Sequence, residues 1–105
     1  MDTATDATPT ASYDALRDGE AILIDVREPW ENEQMSIPGA LLIPLGEIPD
    51  RLGEIPVDRD IYVHCRIGGR SAKAVDYLRE HGRSRAINVA GGIDAWKEAG
   101  LPVTE

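Results

Sequence analysis

The sequence predicts a three-layer α/β domain built on a central, mainly parallel sheet. Short apolar runs rich in Ile, Val and Leu alternate along the chain with segments whose apolar residues recur at helical spacing. The apolar runs are uninterrupted, which is typical of parallel strands that are buried on both faces. Glycine and proline separate the segments, and 105 residues are enough for one hydrophobic core.

The composition excludes several broad functions. The formal net charge of −8 argues against non-specific binding to nucleic acid or to an anionic membrane. No apolar run is long enough to cross a bilayer. A single cysteine cannot form an internal disulfide, so a cytoplasmic location is expected.

The amino-terminal residues 1–12 are small, polar or acidic, and we expect them to form a mobile tail before a domain over 13–105. They lack the basic and apolar features of a signal or transit peptide. Ser12 is expected to cap a short helix that ends at Gly19.

The first strand is predicted within residues 21–27, where Pro29 stops it and opens a short helix. Ile37-Pro38-Gly39 forms a turn, and residues 40–43 are a second strand ending at Pro44. The pentapeptide Leu-Gly-Glu-Ile-Pro then occurs twice, seven residues apart. It predicts one proline-bounded helix with a single apolar face: Leu45, Ile48, Leu52 and Ile55.

The second half repeats the alternation of strand and helix. Residues 60–64 are the third strand, Ser71 to His81 the clearest helix, 86–89 the fourth strand and 93–99 a last helix. In parallel sheets, ligands bind at the carboxyl ends of the strands. Three notable segments lie there and are expected to converge: residues 25–28, 65–71 and 90–92.

The loop over residues 65–71, Cys-Arg-Ile-Gly-Gly-Arg-Ser, carries the only cysteine and opens a helix. Backbone amides at the start of a helix can point inward and form an anion-binding nest. Gly68 and Gly69 permit backbone angles that other residues avoid. Together with two arginines, this arrangement favours the thiolate and predicts a nucleophilic Cys65 rather than an inert, buried thiol.

The polar residues of the loop have alternative roles. Arg70 either points into the pocket or, as we favour, holds the loop from outside by binding a carboxylate. Arg66 is expected at the mouth of the pocket. There it either steers an anionic substrate or is simply a solvated surface arginine. Ser71 either donates a hydrogen bond to the sulfur or only caps the helix.

Outside the loop, Asp25 and Arg27 are expected to pair near the strand ends as supporting residues. His64 precedes the thiol on a strand, so it points to the opposite face and is not expected to act as its base. Two histidines and one cysteine make no metal signature. Trp30 either packs in the core or rims the pocket.

The loop resembles the active-site pattern Cys-Arg-x-Gly-x-Arg-Ser of rhodanese-like sulfurtransferases. The resemblance covers nearly the whole chain from Tyr13. It includes Asp25-Val26-Arg27-Glu28-Pro29-x-Glu31, Ile37-Pro38-Gly39-Ala40, Gly91-Gly92-Ile93-Asp94-Ala95-Trp96 and Gly100-Leu101-Pro102-Val103. It implies a rhodanese-like fold, Cys65 as catalytic nucleophile and a persulfide-binding loop formed by Arg66, Ile67, Gly68, Gly69, Arg70 and Ser71.

The resemblance also implies a mechanism and partners. Cys65 takes the outer sulfur of a small donor such as thiosulfate and becomes a persulfide. Cyanide in vitro, or a thiol or sulfur-carrier protein in the cell, then accepts that sulfur. No metal or organic cofactor is required.

Two other classes fit a related fold. Phosphatases and arsenate reductases of this architecture place five residues between cysteine and arginine, whereas four separate Cys65 from Arg70 here. The arginine position of the longer loop is Ser71, so the shorter loop favours a persulfide sulfur over a phosphate. A non-catalytic binding module is the third class, and the presence of the cysteine argues against it.

Overall fold

The computed structural model describes residues 5–105. In these residues no helix is long and apolar enough to cross a membrane. Strands and helices follow in this order: β1 (Asp6–Ala7), α1 (Pro9–Arg17), β2 (Ile22–Asp25), α2 (Pro29–Gln34), β3 (Leu41–Leu42), β4 (Ile61–His64), α3 (Gly69–Glu80), β5 (Ala86–Val89) and α4 (Gly92–Glu98).

The strands form one sheet with the order β1-β5-β4-β2-β3, and every neighbouring pair is parallel. The predicted parallel sheet is therefore confirmed. The register places Asp25 beside His64, so β2 and β4 end side by side. The loops that follow these two strands consequently leave the sheet at the same edge.

The sheet is covered on both faces, which confirms the three layers. Helix α3 packs on one face through Ala74, Val75 and Leu78, as the helical spacing predicted. Residues of α1 and α4 cover the other face around the fully buried Trp96, against which Tyr13 packs edge-on at 5.7 Å. The sheet, with the loops at the carboxyl ends of its strands, is thus packed between two apolar layers.

The mobile tail predicted for residues 1–12 is wrong for residues 6–12. Asp6–Ala7 add a parallel edge strand to β5, and α1 begins at Pro9. Thr8, not Ser12, caps this helix by accepting a hydrogen bond from the Ala11 amide. Backbone pairing across the sheet orders the segment despite its polar composition. Residues 1–4 of the predicted tail lie outside the described residues.

The single helix predicted over the repeated pentapeptides is also wrong. The structure has two short 3-10 helices instead, Leu45–Glu47 and Leu52–Glu54. The apolar positions were predicted correctly, since Ile48 and Ile55 are buried in the core beneath α3. Each pentapeptide ends in proline, which lacks an amide hydrogen and stops a continuous helix.

Candidate active site

The loop after β4 is held from below by the start of α4. The amides of Ile93 and Asp94 donate hydrogen bonds to the carbonyls of Cys65 and Arg66, at 2.9 and 3.1 Å. These two carbonyls are therefore turned away from the loop interior. The expected convergence of the loops after β4 and β5 is confirmed.

Gly92 is required for this contact. A Cβ atom at position 92 would lie 2.4 Å from the Arg66 carbonyl oxygen and 2.5 Å from that of Cys65. No L side chain fits there without moving the loop backbone, and its positive φ of 64° also favours glycine. The close approach of the two loops therefore depends on this residue.

The sulfur of Cys65 lies at the centre of the loop. The Gly68 amide lies 3.1 Å from Sγ and the Ser71 hydroxyl 3.3 Å from it. Burial raises the pKa of the thiol, since only 1% of Cys65 is exposed. Hydrogen bonds from the Ser71 hydroxyl and from the loop amides outweigh burial and hold the pKa below its ordinary value.

Only one of the two loop glycines has an unusual backbone. Gly68 has a φ of 112° and turns the chain into α3. Gly69 is the first residue of that helix and has no positive φ, so the special angle predicted for it is not present. The inward-facing amides thus depend on Gly68.

The two arginines of the loop have different surroundings. Arg70 binds Glu31 of α2 through both guanidinium nitrogens, at 2.8 and 3.0 Å. The prediction that Arg70 binds a carboxylate is confirmed, and the ion pair lowers the pKa of Glu31. The Arg66 side chain is 67% exposed and lies 3.4 Å from Asp94, as expected for a residue at the mouth.

The predicted pair of Asp25 and Arg27 is also present and is buried. Asp25 accepts from the Arg27 amide and from two of its guanidinium nitrogens at 2.8–3.0 Å. Arg27 also donates to the Met35 carbonyl at the end of α2. The pair therefore ties β2 to the helix that supplies Glu31. Burial raises the pKa of Asp25, but the hydrogen bonds from Arg27 outweigh burial and lower it below its usual range.

His64 is fully buried on the far side of the strand from the sulfur. Its Nδ1 lies 3.1 Å from the Cys65 carbonyl oxygen, and among the described residues its Nε2 has no hydrogen-bond partner. Burial lowers the pKa of this imidazole. No contact with Sγ was expected, and His64 instead orients the carbonyl next to the thiol.

Two polar partners were not identified from the sequence. Glu31 was seen as part of a motif but not as the partner of Arg70, which is 39 positions away. Asn88 was treated only as part of a strand, yet its side chain accepts a 2.6 Å hydrogen bond from Ser71. A polar residue in a buried four-residue strand just before Gly91-Gly92 was the available signal.

A small cleft lies beside the loop, and a larger groove lies elsewhere on the surface of the described residues. A cleft of about 170 Å³ adjoins the loop and is lined by residues that include Trp30, Arg66 and Ile93. Trp30 is 61% exposed, so it rims this cleft and does not pack in the core. A larger groove of about 720 Å³ is lined by α1 and the Pro38-Gly39 turn, and includes no residue of the loop. The small cleft is the one next to the chemistry.

Metal-ligating side chains do not gather anywhere in residues 5–105. No group of three or more His, Cys, Asp or Glu residues is placed to hold an ion.

Comparison with known proteins identifies relatives of the whole domain. Residues 8–99 match the family described as rhodanese-like domain. A sulfurtransferase of Allochromatium vinosum is 46% identical over 84 residues, with 80% of this chain and 78% of that protein covered. The putative sulfur carrier protein YrkF of Bacillus subtilis is 39% identical, but only 40% of its length is covered.

A solved structure agrees with the sequence matches. The crystal structure of a rhodanese-related protein from Thermoplasma volcanium superimposes with a TM-score of 0.87. It is 32% identical, and 94% of this chain and 96% of that one are covered. The parallel sheet, the loop that opens α3 and these matches agree, and the chain belongs to the rhodanese-like domain family.

Proposed function

We propose that the protein is a sulfurtransferase that carries a sulfane sulfur as a persulfide on Cys65. One observation carries the proposal: a single buried cysteine is surrounded by donors from its own loop, with the Gly68 amide at 3.1 Å and the Ser71 hydroxyl at 3.3 Å. Donors in this geometry stabilise a sulfur anion at neutral pH. The matches to sulfurtransferases support the same chemistry.

The reaction proceeds in two transfers. The Cys65 thiolate attacks the outer sulfur of a donor such as thiosulfate, the sulfur–sulfur bond of the donor breaks, and sulfite leaves with the electron pair. The new terminal sulfur carries the negative charge and takes hydrogen bonds from the loop amides. A nucleophilic acceptor then attacks this sulfur, and Cys65 leaves as a thiolate.

The substrates follow from charge and exposure. Arg66 is exposed at the mouth and attracts an anionic donor such as thiosulfate. A thiol or a sulfur-carrier protein is the proposed acceptor in the cell, and the name of the Bacillus subtilis relative supports a sulfur-relay role. A lone, reactive thiol suits a reducing compartment such as the cytoplasm.

Intact-mass measurement after incubation with thiosulfate tests the proposal. We expect the mass of one additional sulfur atom, its loss on addition of cyanide, and no adduct on Cys65→Ser. Ultraviolet absorbance of the thiolate, with Cys65→Ser as the blank, should titrate at a lower pH than a free cysteine because the loop donors lower the pKa.

The same preparation discriminates the alternatives. Hydrolysis of an aryl phosphate without a sulfur adduct would replace the proposal with a phosphatase. Arg70 argues against that result, because its guanidinium is engaged by Glu31 and is not free to surround a phosphate. Absence of both reactions would indicate a binding module.

A further inference from the structure

Asn88 lies in β5 directly behind Ser71, in a buried hydrogen-bond chain that reaches the sulfur. Ser71 is fully buried and Asn88 is 6% exposed. The Ser71 hydroxyl oxygen is 2.6 Å from Asn88 Oδ1 and 3.3 Å from Cys65 Sγ. The Asn88 side-chain nitrogen lies 3.4 Å from the Gly68 carbonyl. Asn88 therefore contacts both residues that donate to the sulfur.

The number of hydroxyl protons limits how many acceptors in this hydrogen-bond chain can be satisfied at once. The contact with the Gly68 carbonyl requires the NH₂ group of Asn88 on that side, so Oδ1 faces Ser71. Because Oδ1 has no hydrogen, the 2.6 Å contact uses the single hydroxyl proton of Ser71. The same proton cannot also be donated to Cys65.

We infer that Asn88 is a positioning residue that competes with the Cys65 sulfur for the Ser71 hydroxyl proton. With a neutral thiol, the S–H group donates to the Ser71 oxygen and the Ser71 proton goes to Asn88, so every group has a partner. With a thiolate, the proton turns to the sulfur and the buried Oδ1 of Asn88 loses its donor. An unsatisfied buried acceptor has a free-energy cost, and the contact therefore opposes ionisation.

The competition bears on the proposed sulfur transfer. When Cys65 accepts a sulfur, Sγ changes from an anion to a neutral divalent atom, and the negative charge moves to the terminal sulfur. The Ser71 proton is then released to Asn88 again. Asn88 thus stabilises both neutral states of Sγ, the thiol and the persulfide, relative to the thiolate, and favours the loaded enzyme. This part of the inference rests on the proposed function.

The charged groups around the sulfur are separate from Asn88. Arg70 of α3 is engaged by Glu31 of α2, and Arg66 of the loop lies beside Asp94 of α4. The neighbouring strand β2 contributes Asp25, which is paired with Arg27, and β4 contributes the titratable His64, whose imidazole is kept neutral by burial. The hydrogen bonds of the Asn88 side chain go instead to Ser71 and Gly68. A neutral replacement of Asn88 therefore leaves the charges near Cys65 unchanged.

The test is the titration of the thiolate by ultraviolet absorbance in Asn88→Leu, which is close to isosteric but has neither donor nor acceptor. We expect the pKa of Cys65 to fall, with an about fivefold higher ratio of thiolate to thiol at a given pH, because one competing hydrogen bond is removed. In a Ser71→Ala background, Asn88→Leu should produce no such fall, because the Ser71 hydroxyl proton for which Asn88 and Cys65 compete is absent. This readout needs no sulfur donor, so it is independent of whether the protein transfers sulfur.

Controls separate competition from loosening of the loop. Asn32→Leu removes a side-chain amide hydrogen bond to Asp25, at 3.1 Å, and should leave the titration unchanged. Asn88→Ala should reproduce the lower pKa if Asn88→Leu does not fold. A pKa that is unchanged or raised in both Asn88 variants would overturn the inference, as would an equal fall in the Ser71→Ala background.

Discussion

Asp25 and Cys65 are two buried anion-forming groups at the carboxyl ends of adjacent parallel strands. Asp25 ends β2 and is fully buried, and Cys65 follows β4 and is 1% exposed. The carboxylate is balanced by a full positive charge, since Arg27 binds both of its oxygens. The sulfur is balanced by dipoles, from the Gly68 amide and the Ser71 hydroxyl.

The difference is consistent with a structural role for Asp25 and with the reactivity proposed for Cys65. A buried ion pair is costly to break, because the remaining charge has no partner. Backbone dipoles leave no unpaired charge when the anion disappears, so Cys65 can change between thiolate and neutral sulfur at lower cost. The loop also contains the cationic Arg70, but its charge is balanced by Glu31. Arg70 therefore does not need a thiolate as its counter-charge.

The largest effect is expected from breaking the ion pair between Asp25 and Arg27. Asp25→Asn leaves the buried Arg27 guanidinium without its counter-charge and should lower the free energy of unfolding by about 3–5 kcal/mol. Cys65→Ser, just after the adjacent strand, should lower it by only about 1 kcal/mol, the usual effect of a single substitution, since no full charge loses a partner. Urea unfolding followed by tryptophan fluorescence measures both. Equal losses in the two variants would refute the distinction.

The next largest effect is expected from displacing the loop amides that face the sulfur. Gly92→Ala places a Cβ against the Cys65 and Arg66 carbonyls, so the loop must shift, and the free energy of unfolding should fall by about 2–4 kcal/mol. The pKa of Cys65 should rise as the amides lose alignment. Gly69→Ala is the matched control, because a Cβ there meets nothing within 4 Å and φ is not positive. A pKa of Cys65 in Gly92→Ala that is unchanged from that of the native protein would show that the contact does not orient the loop.

The smallest effect keeps every charge and changes geometry alone. Arg70→Lys loses the two-pronged contact with Glu31 and should lower kcat/KM for sulfur transfer to cyanide by roughly tenfold, because the start of α3 is held less firmly. Arg51→Lys removes a similar contact with Glu54, away from the loop, and should leave kcat/KM unchanged. Equal rates in the two variants would mean that charge alone suffices at position 70.

Much of the site could be predicted because it is local in sequence. The strand, loop and helix around Cys65 are contiguous, so the apolar run, the glycines and the helical spacing together indicate inward-facing amides. The type of partner for Arg70 was predicted as well. Its identity was not, because Glu31 is 39 positions from Arg70 and its place beside the loop depends on how α2 packs, which the contact of Arg27 with the end of α2 helps to set.

Two errors have the same origin. The segment before α1 has no apolar pattern of its own, and it is ordered because the carbonyls of Thr5 and Ala7 accept hydrogen bonds from the amides of Asn88 in β5 and of Ala90 just after it. The role of the Asn88 side chain was missed for a similar reason. It depends on the distance between β5 and the first turn of α3, which brings together two residues that are 17 positions apart in the chain.

The sequence by itself determined most of the strands and helices, the parallel sheet and the strand, loop and helix around Cys65, because these depend on hydrophobic spacing and on residues that are neighbours in the chain. Only the tertiary structure decided how the loop is held. The loop carbonyls accept hydrogen bonds from amides of α4 and pack closely against Gly92. Arg70 of the loop binds Glu31, and Ser71 donates a hydrogen bond to Asn88. Each of these contacts joins residues at least 17 positions apart, and packing of the two core layers sets their distances.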